Sequence, residues 1–153
     1  MEEEQNPVHR RPAFSKHEIL ARAELRREQF FNMVMKAIEA LPPDFRDKME
    51  NVDVVVADWP SAAQLARTNT RNRFALLGLY EGVPQTRRGR GYGLVVPDKI
   101  SIFRKPIESR CRSWEEIEKE IIRVVRHEIA HHFGTDEPTL REIEGNQQKR
   151  DRW

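Results

Sequence analysis

Residues 113–134 read SWEEIEKEIIRVVRHEIAHHFG, and this stretch predicts the helix around which the fold is organised. Ser113 and Glu116 form the S-x-x-E capping box that begins many helices. Apolar residues then recur at core-facing spacing, which predicts a buried helix face. These residues are Ile117, Ile121 and Val124. His131 falls in register with them, so the sequence predicts that it continues the same face.

Two histidines and a glutamate lie near the end of this helix, in the pattern H-E-x-x-H. His127 and His131 are four residues apart, and residues at that spacing share a helix face, so both imidazoles can bind one tetrahedral ion. Glu128 lies about 100° further round, where a carboxylate can hold a water molecule as a general base. The pattern therefore predicts a Zn2+ site with a catalytic Glu128, in preference to a hydrogen-bonded core cluster. His132 points elsewhere and is predicted to be structural.

A catalytic zinc site needs a third protein ligand and an open position for water. Gly134 can end the helix and turn the chain back, and Glu137 follows in the spacing H-E-x-x-H-x-x-G-x-x-E. Glu137 is the first candidate for the third ligand, and Asp136 is its immediate competitor. A ligand from a later helix would instead be Glu142 or Glu144, which could equally be acidic residues on a solvated helix face.

Three separated segments resemble the small bacterial zincin-like metallopeptidase family, whose members are also called minimal metallopeptidases. These segments are residues 76–84, 97–103 and 126–134, and residues 40–43 are similar too. The resemblance implies a compact zincin fold in which the two motif histidines and an acidic residue just past the glycine bind zinc. Where the family pattern has aspartate this chain has Glu137, whose longer side chain can still reach a metal.

The rest of the chain predicts one domain of the α+β class. Residues 1–14 are charged and unpatterned, which predicts a flexible N-terminal tail before a single domain at residues 15–153. A second capping box begins a long helix at Ser15, and two prolines stop it at residues 42–43. Its buried side is marked by Phe30, Val34, Ile38 and Leu41. Strands are predicted at residues 52–57, 75–80, 94–96 and 99–103, with a short helix within 61–73. This order predicts a small mixed sheet packed by two long helices.

Composition restricts the classes of protein to which the chain can belong. At 153 residues, with 38% hydrophobic and 34% charged residues, it is long enough for one core and polar but globular. One cysteine, Cys111, excludes an internal disulfide framework. No apolar run has the length of a membrane span, and the acidic start at residues 1–4 is unlike a signal peptide. The sequence therefore predicts a cytoplasmic protein without membrane association.

An arginine-rich loop at residues 86–93 suggests contacts to nucleic acid through Arg87, Arg88 and Arg90. The net charge of only +2 gives no domain-wide basic field, so nucleic-acid binding is not favoured. The glycines of this loop are consistent instead with a hinge that covers a bound peptide.

These observations favour a zinc metallopeptidase that acts on a peptide or protein substrate. An extended substrate is predicted to pair with an exposed strand edge at residues 99–103, which precedes the motif helix. Tyr80 and Tyr92 are among the candidates for stabilising the oxyanion. The main alternative is a zinc-stabilised binding module without activity. An RNA-associated protein is less favoured, because neither alternative gives Glu128 a role.

Overall fold

The computed structural model describes residues 13–47, 49, 51–82 and 98–132. Its helices are α1 (Lys16–Glu39), α2 (Pro43–Asp47), α3 (Ala62–Arg67), α4 (Arg104–Ser109) and α5 (Trp114–His132), and a 3-10 turn spans Arg73–Ala75. The strands are β1 (Val52–Ala57), β2 (Gly78–Glu81) and β3 (Asp98–Phe103). In the described ranges, every helix is too short or too polar to cross a membrane.

The three strands form one mixed sheet in the order β1-β3-β2. β3 is parallel to β1, with Val54 opposite Ile100, and antiparallel to β2, with Tyr80 opposite Ile100. β3 is therefore the central strand. The prediction that residues 99–103 offer an exposed edge to a substrate is wrong, because strands on both sides already take their hydrogen bonds. That prediction relied on closeness to the motif helix along the chain, but α4 lies between β3 and α5.

The first long helix begins and ends close to the predicted positions. The side chain of Ser15 accepts a hydrogen bond from the Glu18 amide at 3.2 Å, and the Glu18 carboxylate accepts one from the Ser15 amide at 2.8 Å. This confirms the predicted capping box. Phe30 and Val34 are fully buried, so the predicted buried side of α1 is correct at its centre.

The motif helix begins with half of its predicted capping box. The Ser113 hydroxyl accepts a hydrogen bond from the Glu116 amide at 3.1 Å. The Glu116 carboxylate binds the Arg112 amide at 2.7 Å, and not that of Ser113. The three apolar α5 residues that were predicted to be buried enter the core, and they are Ile117, Ile121 and Val124. α5 packs against α1 and covers β2 and β3, which confirms the α+β fold with two long helices.

A buried arginine joins the end of β1 to α4. Arg104 is 2% exposed, and its guanidinium donates to Asp58 at 3.0 Å and to Glu108 at 3.1 Å. Burial alone would raise the pKa of Asp58, but hydrogen bonds from Arg104 and Arg27 outweigh it and lower that pKa. Because the guanidinium is paired on both sides, its burial is not left uncompensated.

Some of the predicted elements differ from the structure or lie outside it. The predicted strand at residues 75–80 is observed as a 3-10 turn at Arg73–Ala75 followed by β2 at Gly78–Glu81. The predicted strand at 94–96, the basic loop at 86–93 and most of the N-terminal tail are outside the described residues. Assignment of residues 15–153 to one domain stays a prediction.

Candidate functional site

The structure brings the two motif histidines together. Nε2 of His127 and Nε2 of His131 are 3.1 Å apart, and their rings meet edge to face with centroids 4.7 Å apart. Two nitrogen ligands on one tetrahedral zinc ion, each at 2.0–2.1 Å, would be separated by about 3.3 Å. The two ring nitrogens therefore fit a shared metal ion with little change in their positions.

The two metal-binding candidates lie at the margin of the buried face of α5. His127 is half-buried and His131 is exposed, so the prediction that His131 continues the buried face is wrong. The buried polar residues are Glu128 and His132, which are 8% and 1% exposed. Glu128 and His132 lie seven and eleven residues after Ile121, within about 20° of it around the helix, whereas His131 is displaced by about 80°.

Glu128 is held against the sheet by strand β2. Its Oε2 accepts a hydrogen bond from the Tyr80 amide at 2.9 Å. Gly78 makes this approach possible, because a Cβ atom there would lie 2.7 Å from Cγ1 of Val124 and 3.2 Å from Cγ of Glu128. Any side chain at position 78 would push β2 away from α5. The strand backbone and the carboxylate are therefore fixed relative to each other.

The pKa of Glu128 is raised, because burial disfavours its charged form. Electrostatic interaction with His131 and His127 and the hydrogen bond from the Tyr80 amide act in the opposite direction, but do not outweigh burial. A carboxylate with a raised pKa holds a proton more readily near neutral pH, as a general base must when it accepts one from water.

The outer edge of β2 lies beside Glu128. The Phe103 amide donates to the Leu77 carbonyl at 2.9 Å, so the peptide group of Leu77 faces β3. Peptide groups alternate in direction along a strand, which directs those of Gly78 and Tyr80 away from β3. The hydrogen bond from the Tyr80 amide to Glu128 agrees with this alternation. Among the described strands, β2 is thus the edge strand nearest the site.

A second polar cluster lies one helical turn beyond Glu128. His132 and Asp98 are each 1% exposed, and Nδ1 of His132 is 3.0 Å from Oδ2 of Asp98. The Tyr80 hydroxyl donates to the same oxygen at 3.1 Å, and the Tyr80 ring meets the His132 ring edge to face. This agrees with the interpretation of His132 as structural, and it commits the Tyr80 hydroxyl to Asp98 instead of to an oxyanion. Asp98 was missed, since a lone aspartate after a proline has the sequence signature of a turn.

None of the four candidates for a third metal ligand lies among the described residues. Within residues 13–82 and 98–132, apart from the undescribed positions 48 and 50, no cluster of three His, Cys, Asp or Glu side chains could hold a metal ion. The four acidic candidates all fall after residue 132 and lie outside the described part of the chain. They are Glu137, Asp136, Glu142 and Glu144. The assignment of the third ligand therefore stays a prediction.

Comparison with known protein families gives one match. The model of a family described as zincin-like metallopeptidase matches residues 49–147, from just before β1 to beyond the four acidic candidates. A search of curated proteins found no match. The matched region contains the whole sheet, the motif helix and the pair of converging histidines.

Proposed function

Because the chain belongs to the zincin-like metallopeptidase family, we propose that it is a zinc-dependent peptidase with Glu128 as its general base. The observation that carries this proposal is the pairing of two converging imidazoles with a buried carboxylate. Nε2 atoms 3.1 Å apart supply the metal-binding edge, and the neighbouring carboxylate is held by a backbone amide. A purely structural zinc site needs ligands alone and would not require a buried glutamate beside them.

Three side chains are assigned to the metal. His127 and His131 would bind zinc through Nε2, and we assign the remaining protein ligand to Glu137, which follows the predicted turn at Gly134. A bound zinc ion supplies Lewis-acid chemistry, lowering the pKa of water towards 7 and polarising the substrate carbonyl. The exposure of His131 leaves this edge of α5 accessible to a metal ion and to a substrate.

Glu128 moves the proton in this mechanism. The Tyr80 amide binds Oε2, so Oε1 is the oxygen that we assign to proton transfer. Glu128 accepts a proton from the attacking water and then donates it to the nitrogen of the leaving amine. The raised pKa of this carboxyl favours the first half of the cycle, because a carboxylate of higher pKa accepts a proton from water more readily.

A substrate in extended conformation would lie along the outer edge of β2. The Gly78 peptide group and the Tyr80 carbonyl face this edge, while the Tyr80 amide is bound to Glu128. Backbone pairing there would bring a scissile carbonyl close to Glu128. Recognition through the backbone alone selects for extended peptides and not for a particular side chain. We therefore propose unstructured peptides, or unfolded segments of proteins, as the substrate class.

The proposal can be tested with metal analysis and peptide digestion on one preparation of the full chain. We expect about one zinc per chain and cleavage of a peptide library, with cleavage lost on chelation and restored by zinc. A chain that binds zinc, is stabilised by it and cleaves no peptide would contradict the peptidase proposal. That result would favour the zinc-stabilised binding module.

A further inference from the structure

Tyr80 contacts both buried polar residues of α5. Its amide donates to Glu128 at 2.9 Å, and its hydroxyl donates to Asp98, which in turn lies 3.0 Å from His132. Glu128 and His132 are one helical turn apart on the face of α5 that meets the sheet. The backbone of Tyr80 thus binds Glu128, the predicted base. The side chain of Tyr80 is connected through Asp98 to His132, in the next turn of the same helix.

Asp98 is fixed tightly enough to serve as the anchor of this arrangement. It begins β3, where it pairs with Val52 of β1, and its side chain is 1% exposed. Gly82, which directly follows β2, closes over it, since a Cβ atom there would collide with Oδ1 of Asp98. The carboxylate is therefore enclosed by the backbone at Gly82, a tyrosine hydroxyl and an imidazole.

We propose that Asp98 and Tyr80 are positioning residues for Glu128, an inference that rests on the peptidase function proposed above. Asp98 holds the Tyr80 hydroxyl, which fixes the β2 backbone at residue 80. The fixed amide then orients the Glu128 carboxylate towards the water and substrate. Small displacements of a general base reduce the rate of the chemical step more than they reduce substrate binding.

The most direct test is Tyr80→Phe, which removes one hydroxyl and keeps the ring against His132. The first readout is hydrogen exchange of the residue 80 amide by NMR in the zinc-free protein, so it requires neither metal nor activity. We expect exchange at residue 80 to become about tenfold faster, with the amide of Ile102 unchanged. Glu128→Ala, which removes the acceptor itself, should give the largest acceleration at residue 80.

Ser101→Ala is the matched control in the same sheet. Ser101 is 1% exposed, its hydroxyl has no hydrogen-bond partner among the described residues, and it lies on β3 beside Ile100, which pairs with Tyr80. Successive strand residues point to opposite faces, so this hydroxyl is on the other side of the sheet from the Tyr80 ring. Its removal should leave exchange at residue 80 and peptidase activity unchanged.

The second readout is steady-state kinetics of zinc-loaded protein. For Tyr80→Phe we expect kcat to fall about tenfold with KM within about twofold of wild type. Asp98→Asn, which replaces the carboxylate that accepts the hydrogen bond from the Tyr80 hydroxyl, should act in the same direction on both readouts. Unchanged exchange at residue 80 in Tyr80→Phe would overturn the inference, as would equal acceleration of exchange at Ile102. An inactive wild type would count against the peptidase function, while amide exchange would still decide the positioning role.

Discussion

The two sides of the last turns of α5 differ sharply although they are one residue apart in sequence. On one side, His127 is half-buried and His131 is exposed, and the two rings contact each other through their nitrogens. On the other side, Glu128 and His132 are buried and are held by residues of β2 and β3. One short segment thus carries both an accessible pair of imidazoles, which is the proposed metal-binding edge, and a carboxylate fixed to the sheet, which is the proposed base.

The largest effect should follow from removing the proton acceptor on the buried side. Glu128→Gln keeps the size and hydrogen-bonding capacity of the side chain, so zinc should remain bound while peptide hydrolysis falls by about two to four orders of magnitude. Zinc content and cleavage rate should be measured on the same sample. Equal cleavage by the variant and wild type would show that Glu128 is not the base.

Zinc affinity should depend on the exposed side of α5, which carries His131, and on the proposed third ligand, Glu137. His131→Ala and Glu137→Ala should each weaken zinc binding by about a hundredfold or more, measured by competition with a chelator. Glu142→Ala and Glu144→Ala are the matched controls and should bind zinc nearly as well as wild type. Glu137→Asp should be tolerated better than Glu137→Ala. The reverse ranking of these positions would place the third ligand in the segment that contains Glu142 and Glu144.

The two adjacent histidines at the end of α5 should differ in their effect on stability. His132→Ala leaves the Asp98 carboxylate buried without its imidazole, and we expect it to lower the free energy of unfolding by about 3–5 kcal/mol. Denaturant titration of the metal-free protein measures this directly. A stability equal to that of wild type would show that the contact between His132 and Asp98 does not contribute to folding.

Because β2 packs closely against α5, adding a single methyl group at Gly78 should lower the stability of the protein. Gly78→Ala would place its Cβ 2.7 Å from Val124, so the strand must move away from Glu128. We expect a loss of about 1–3 kcal/mol in the free energy of unfolding. Peptide hydrolysis should fall as well, because the amide of Tyr80 moves with the strand. Wild-type stability and activity in this variant would contradict the close contact.

The smallest effect on stability is expected for a substitution on the exposed side of α5, measured in the zinc-free protein. His131→Ala removes a solvent-exposed ring, so the free energy of unfolding of the zinc-free protein should change by less than about 0.5 kcal/mol. The same variant should lose most of the stabilisation that added zinc gives the wild type. A large loss of stability in the zinc-free variant would mean that the two sides of α5 are not distinct.

The main helices of the fold could be predicted from periodic patterns in the sequence. The arrangement of the candidate site could be predicted only in part. Capping residues and apolar spacing predicted α1 and α5 because both depend on neighbours within a few positions. The central position of β3 could not be predicted from such local patterns, because strand order depends on contacts between segments far apart in the chain. The buried positions of Glu128 and His132 could be found by counting from Ile121, whereas the pairing of Asp98 with His132 required the sheet.

The hydrogen bond between Tyr80 and Glu128 spans 48 residues of sequence, whereas His127 and His131 are joined within one helical turn. Local contacts form early in folding, and contacts of high sequence separation form late, because a long loop must close first. A chain in which α5 has formed but the sheet has not would already present its paired imidazoles. Its glutamate would still lack the strand that orients it. Under the proposed function, metal capture would therefore precede the positioning of Glu128 during folding, and hydrolysis would begin only when the sheet is complete.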